Sequence, residues 1–294
     1  MVNTFIIPVI RTDLIGRCLE TIYKHNEYNT FYVYIIDQTY DGLDQEMLRV
    51  QYMNLMFIRP PRTSTHSRGN LGFAKANNMA IKLVETPYFT MCNDDVEFIN
   101  KKWWDGVLAT FDKVNDATPT RPCLTVTPSS VKLPDWSVGR PKGDDFYIAP
   151  YSEEYTDVEY DALVEQEHFV NEHLTLMPGS VIDGVTLYCS VFKADLFKQV
   201  GYLDERYYPG GGEDYDYNCR ASIHGFRCVG TTMSWVFHHW SKSMNAEEAA
   251  DVSRLIDLNL RWNNNNEKWG PGFDIWGDKS RGAEQIPPIT VTPL

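Results

Sequence analysis

The stretch Tyr88-Phe89-Thr90-Met91-Cys92-Asn93-Asp94-Asp95 decides how this chain is read. Residues 88–92 carry no charge and have the length and character of a buried strand, which then stops at an amide and two carboxylates. Adjacent carboxylates at a strand end repel one another unless a cation or a donor-rich ligand lies between them. A solvated Asx turn leaving the strand is the plainer reading. The segments on either side weigh against the plainer reading.

Upstream, residues 4–10 read as a buried strand ended near Pro8, and Asp13 is placed to cap the helix that follows. In that helix Leu14, Ile15, Cys18, Leu19 and Ile22 recur at helical spacing on one face. Residues 31–36 form a second strand that runs into the polar turn Asp37-Gln38-Thr39-Tyr40-Asp41-Gly42, and residues 55–58 a third. Residues 73–84 read as a helix, with Ala74, Ala76, Ala80 and Ile81 available for close packing. Strand, helix, strand, strand, helix, strand is the grammar of an α/β fold with a mostly parallel sheet flanked by helices. Ligands of such sheets bind beyond the carboxyl ends of the strands, which puts Asp37 and the acidic triplet on one rim.

Downstream the pattern weakens. Residues 121–184, with several prolines and Asp144-Asp145, read as an irregular insertion, with room for short strands, that could border an acceptor site. Periodicity returns at 185–192, and residues 194–200 make a short helix. A further helix is predicted over 246–262, broken by the asparagine run 263–266. The Gly- and Pro-rich end reads as a tail that packs loosely or binds a partner.

Composition supports a folded domain. The 294 residues are 43% hydrophobic, with 14 Phe, 17 Tyr and 8 Trp, ample for a core. A formal net charge of −13 argues against nucleic acid or an anionic membrane as the main partner. The 6 cysteines show no Cys-x-x-Cys spacing and sit mostly in apolar runs, as small buried hydrophobes of a reducing compartment do. No signal peptide is visible, and no apolar run approaches the ~18 residues that span a bilayer. A soluble cytoplasmic protein is expected.

Four segments together resemble the family 2 glycosyltransferases, which have the GT-A (Rossmann-like) fold. They are Ile6-Ile7-Pro8-Val9-Ile10-Arg11; the turn beginning at Asp37; Asn70-Leu71-Gly72-Phe73-Ala74-Lys75-Ala76-Asn77-Asn78 followed by Asn93-Asp94-Asp95; and Leu203-Asp204-Glu205-Arg206-Tyr207-Tyr208 followed by Gly212-Glu213-Asp214-Tyr215-Asp216 and His238-His239. The third looks most like the rhamnosyltransferase-type branch. The likeness runs over roughly residues 4–243 apart from the insertion. It implies a GT-A domain over 1–243, with a nucleotide-binding half at 1–120, the insertion at 121–184 and an acceptor and catalytic half at 185–243. Residues 244–294 then form a C-terminal helix and tail.

The resemblance implies a metal-dependent, inverting transfer of a sugar from a UDP- or dTDP-sugar to a hydroxyl of a glycan or other glycoconjugate. Such transfer needs the leaving diphosphate neutralised, which Mn²⁺ or Mg²⁺ does with few protein ligands plus phosphate and water. Asp95 is the expected direct metal ligand, Asp94 a partner of the ribose or of a metal-bound water, and Asn93 the residue where the family's Asp-x-Asp signature has its first carboxylate. His238 resembles the late histidine that completes the metal site in many relatives; His239 is its fallback, and a plain strand-end histidine the alternative. Pro8, Ile10 and Arg11 match the nucleotide-contacting turn. Asp37 would accept the imide N–H of uracil or thymine, or else form a turn only. Gly72 permits close backbone approach, and Lys75 or Arg11 could pair with phosphate. Asn77 either contacts the base or ribose or bonds locally. Asp214 is the candidate general base, with Glu213 beside it; a carboxylate favoured by the helix dipole is the bland alternative.

Two other classes fit the residues less well. A nucleotidyltransferase of related sheet would want a Gly-rich, basic loop after the first strand, where this chain has Pro8-Val9-Ile10-Arg11-Thr12-Asp13. A non-catalytic sugar-nucleotide-binding protein would have no need of Asp95, Asp214 and His238 together.

Overall fold

Period-two alternation along the first strand, β1 (Asn3–Val9), organises both layers of the molecule: Phe5, Ile7 and Val9 enter one apolar cluster and Ile6 the other. The computed structural model describes residues 1–27, 29–39, 42–61, 70–130, 155–165, 168–171, 174–176, 181–239 and 267–269. The predicted helix at 246–262, the asparagine run, Asp41, Asp144-Asp145 and most of the tail lie outside the described residues.

After β1 come α1 (Thr12–His25), β2 (Phe31–Asp37), α2 (Gln45–Gln51), β3 (Leu55–Ile58), α3 (Phe73–Ile81), β4 (Tyr88–Cys92) and β5 (Val96–Phe98). Then follow α4 (Trp103–Ala117), β6 (Cys123–Ser130), α5 (Asp157–Glu165), β7 (His168–Asn171), β8 (Leu174–Leu176), β9 (Val181–Asp183), β10 (Cys189–Lys193), α6 (Ala194–Val200), α7 (Glu213–Ile223) and β11 (Arg227–His238). Among the described residues nine strands form one sheet in the order β3-β2-β1-β4-β10-β6-β11-β5, with β9 paired to β11; β7 and β8 pair separately. β1 pairs in parallel with β2 and β4, β2 with β3, and β6 with β11, while β10, β5 and β9 run antiparallel to their neighbours. The mostly parallel α/β sheet expected from the sequence is therefore present.

Helices cover both faces. Ile15, Cys18, Leu19 and Ile22 of α1 and Trp103, Val107, Phe111 and Val114 of α4 fill one cluster. Ala74, Ala76 and Ala80 of α3 join Phe197 of α6 and Tyr217 of α7 in the other. Gly106 lets α4 cross β11 closely: a Cβ there would lie 1.9 Å from the carbonyl oxygen of Met233. All six cysteines are free and buried.

Three expectations need correction. Asp13 does not cap α1; Arg11 holds the N-cap position, and Asp13 lies in the first turn, paired with Arg11 at 2.5 Å. The helix of residues 73–84 ends at Ile81, because Leu83 and Val84 bond back three residues to Ala80 and Ile81 in a tighter turn. Residues 123–130, read as irregular insertion, are instead a central strand. Their Thr, Ser and Pro content hid the strand, since its buried hydroxyls are satisfied across the sheet: Thr125 donates to the Val191 carbonyl at 2.8 Å and Ser129 to that of Thr231 at 2.8 Å.

Candidate active site at the sheet rim

β1 and β4 are neighbours, yet the chain leaves β1 toward β2 and returns from β3 to β4 on the other side, so the crevice at their carboxyl ends is a topological switch point. Asp94 closes it: its carboxylate is buried, and the nearby backbone N–H groups of Asp94 itself and of Ile10 favour its charged form. Burial first, then the nearby charges of Asp95 and Asp13, push its pKa well above the usual carboxylate range. Asp94 Oδ2 is buried and accepts no hydrogen bond among the described residues. Asn93 is tied by its backbone, which donates to the Tyr188 carbonyl at 2.8 Å.

Asp95 faces the end of β11. Its Oδ1 lies 3.1 Å from Nε2 of His238, and both residues are buried. The two atoms are close but not aligned as a hydrogen bond, and Oδ1 is left without one among the described residues. Burial works to raise the Asp95 pKa, but His238 and His239 together outweigh it and hold the carboxyl below its usual value. Ligands about 2.1 Å from a divalent ion and at right angles to each other sit roughly 3 Å apart, so this pair has the spacing of two neighbouring ligands. A buried carboxylate oxygen without a donor, beside an imidazole nitrogen, fits a divalent cation. Among the described residues no third His, Cys, Asp or Glu joins them, which leaves the remaining positions to phosphate and water.

His239 is committed elsewhere. Its Nε2 meets Oε1 of buried Glu97 at 2.6 Å, and its backbone donates to the Asp95 carbonyl at 3.0 Å. Arg17 grips the same Glu97 at 2.8 and 3.1 Å. The fallback ligand is thus part of a support beneath the site, while the ring of His238 is stacked on Tyr188, with centroids 4.6 Å apart.

On the β2 side Asp37 is buried, and its oxygens accept from the Thr39 backbone at 3.1 Å, the Thr39 hydroxyl at 2.6 Å, the Leu43 backbone at 3.0 Å and, weakly, Arg59 at 3.4 Å. The turn-forming role is therefore real, and only the long Arg59 contact is easily exchanged. Gln38 ties this turn to the start of α3 by accepting the Leu71 N–H at 2.7 Å. Gly72 does permit a close backbone approach, but of Pro209: a Cβ at position 72 would lie 2.9 Å from the Pro209 carbonyl oxygen, which also accepts the Phe73 N–H at 2.7 Å. Lys75 is exposed in the first turn of α3. Asn77 donates to the Phe73 carbonyl at 2.9 Å, which is the local role, while its buried Oδ1 accepts nothing among the described residues. Pro8 is within β1, Ile10 is exposed at its end, and Arg11 is paired with Asp13.

α7 starts at the same rim, because β11, which follows it, begins beside Cys123 and ends at His238 next to Val96. Glu213 accepts the Gly211 N–H and so shapes the loop. Asp214 is half-buried and accepts the Tyr215 N–H at 2.8 Å. Sequence reasoning missed the supports: Glu97, Gln38, and the pairing of Asp216 with Arg220 at 2.9 Å and Lys268 at 2.6 Å. The only signal was charge inside apolar strands and helices, as in Val96-Glu97-Phe98.

Among solved structures, the fold is similar to that of the mannosyltransferase PcManGT from Pyrobaculum calidifontis in complex with GDP-Man and Mn²⁺: TM-score 0.53 and 16% identity over 90% of this chain and 64% of that one. It is similar also to GalNAc-T7 with UDP, GalNAc and Mn²⁺, at TM-score 0.52 and 10% identity over 81% of this chain and 43% of that one. This chain thus spans less than two thirds of either structure's length. No curated protein sequence matches it. No helix among the described residues is long and apolar enough to cross a membrane. The model of the family described as "Glycosyl transferase family 2" matches residues 4–199, and the chain belongs to that family.

Proposed function

We propose that the chain transfers a sugar from a UDP- or dTDP-sugar to a hydroxyl acceptor with inversion, using Mn²⁺ or Mg²⁺ held by Asp95 and His238. The observation that carries this reading is the 3.1 Å approach of Asp95 Oδ1 and His238 Nε2 at the switch point of the sheet. Both solved relatives named above are complexes with Mn²⁺ and a nucleotide or nucleotide sugar. Bound between Asp95 and His238, the cation supplies charge neutralisation of the diphosphate as the glycosidic bond breaks.

The remaining steps belong to the protein. Asp94, buried at the crevice with an oxygen that accepts no hydrogen bond among the described residues, would take a ribose hydroxyl or a metal-bound water. Arg11 and Lys75 border the diphosphate from β1 and α3, and Asn77 Oδ1 offers an acceptor to the nucleoside. Asp37 would exchange its weak Arg59 contact for the imide N–H of the base. Asp214 takes the acceptor proton as the acceptor oxygen bonds to the anomeric carbon and the diphosphate leaves from the opposite face; Glu213 holds the loop. Order of the segments supports the rhamnosyltransferase-type branch of the family. The test is a thermal-shift screen of nucleotide sugars with and without Mn²⁺, since a ligand bound only to the folded state raises the melting temperature. Uracil and thymine nucleotides should shift it further than GDP; equal shifts for GDP and UDP would remove Asp37 from base recognition, and no Mn²⁺-dependent shift with any nucleotide would overturn the reading.

A further inference from the structure

Asp216 is fully buried in α7 and is held from two sides. Arg220 donates to its Oδ2 at 2.9 Å, while Oδ1 takes the Lys268 ammonium at 2.6 Å and the Trp269 indole N–H at 3.1 Å. Lys268 also reaches Oδ2 of Asp204 at 2.7 Å, and Arg220 donates to the Val200 carbonyl at 3.2 Å. A C-terminal segment with a buried tryptophan thus joins the start of α7 to the loop that leaves α6. Of the stretch expected to pack loosely or bind a partner, residues 267–269 are packed against the domain, and the rest lies outside the described residues.

Asp214 and Asp216 lie two residues apart on one helix, roughly 200° around its axis. Anchoring Asp216 inward therefore turns Asp214 outward, and the anchor sets the rotation. A carboxylate about 5 Å from the axis moves roughly 1 Å for a ~10° turn of the helix. From this geometry, and resting on the proposed role of Asp214 as base, we infer that Lys268 and Trp269 are positioning residues: they fix the rotation of α7 and so the place from which Asp214 meets the acceptor.

The test uses the full chain. Lys268→Met keeps the length of the side chain and loses its charge; turnover should fall about 10-fold or more, in line with the cost of a ~1 Å misplacement. Nucleotide-sugar affinity should stay within about twofold, because the donor side is built by other elements, and Lys268→Arg should restore most of the turnover. In an Asp214→Asn background, Lys268→Met should cost little more, since a misplaced base that is already missing changes nothing. An equal loss in both backgrounds, or a lowered melting temperature with unchanged turnover, overturns the inference and leaves a structural clip. If Lys268→Met does not fold, Trp269→Phe, which removes one N–H and keeps the ring, is put through the same cycle. An inactive wild type overturns the functional reading together with this one; an active wild type matched by the Lys268 variant overturns this one alone.

Discussion

Asp95 acts on stability in two opposing ways. His238 and His239 hold its carboxyl below the usual value, which adds stability at neutral pH, while its charge, together with burial, disfavours the ionised form of Asp94. Asp95→Ala should leave the fold intact while abolishing transfer and the Mn²⁺-dependent part of nucleotide binding. Full activity in chelator, or in this variant, would sink the metal assignment. His238→Ala should share the loss of Mn²⁺-dependent affinity. His239→Ala should instead lower stability, because it strips one partner from buried Glu97, and paired melting and calorimetry would reverse the assignment if the two swapped roles. Asp214→Asn should cut turnover by about 100-fold or more with nucleotide-sugar affinity nearly unchanged; a destabilised but active variant would leave Asp214 a carboxylate of the helix start and nothing more.

Among the elements, those with uniform patterns were legible and those with mixed ones were not. The strands at 55–58 and 88–92 and the helix at 194–200 are found where their apolar runs put them. β6 was lost because hydroxyl groups substitute for apolar ones in its buried positions, and a hydroxyl's partner cannot be seen from the strand alone. α4 carries a stripe of Trp103, Val107, Phe111 and Val114 at helical spacing, a signal the sequence does hold. The candidate site was legible as far as strand ends and helix starts place residues, which is why Asp37, Asp94, Asp95, Asp214 and His238 share one rim. Asp216 with Lys268, or Glu97 with His239, could not be paired in advance, because each bond joins distant segments. Close crossings are equally silent in a sequence. Gly106→Ala should destabilise the protein by about 1–3 kcal/mol or more through the overlap with the Met233 carbonyl, measured by denaturant unfolding; a neutral result would mean that α4 can back away from β11.

For the whole molecule, the surplus of negative charge coexists with carboxylates that, Asp94 apart, are paired with cations or hydrogen-bond donors where they leave the surface. Half-buried Asp204 shows the balance: burial tends to raise its pKa, but Arg206 and Lys268 hold it well below the usual range. A carboxyl with a depressed folded pKa adds stability that is complete above its unfolded value, near 4, and is lost as pH falls toward the folded one. The wild type should thus exceed Asp204→Asn in melting temperature at neutral pH, and the gap should close progressively below pH ~4. A gap that is constant across that range would show that the side chain acts through packing alone. The placement of β11 has a consequence of another kind, for synthesis. Among the described residues it is the last strand of the sheet, and it covers the open side of β6 while also gripping β5 and β9. A nascent chain still short of residue 227 therefore carries an uncovered edge at the centre of its future sheet, together with a rim that lacks His238. Until the ribosome has released that strand, the polypeptide is open to pairing with its neighbours on the same messenger, and a pause in translation before β11 would favour aggregation over folding.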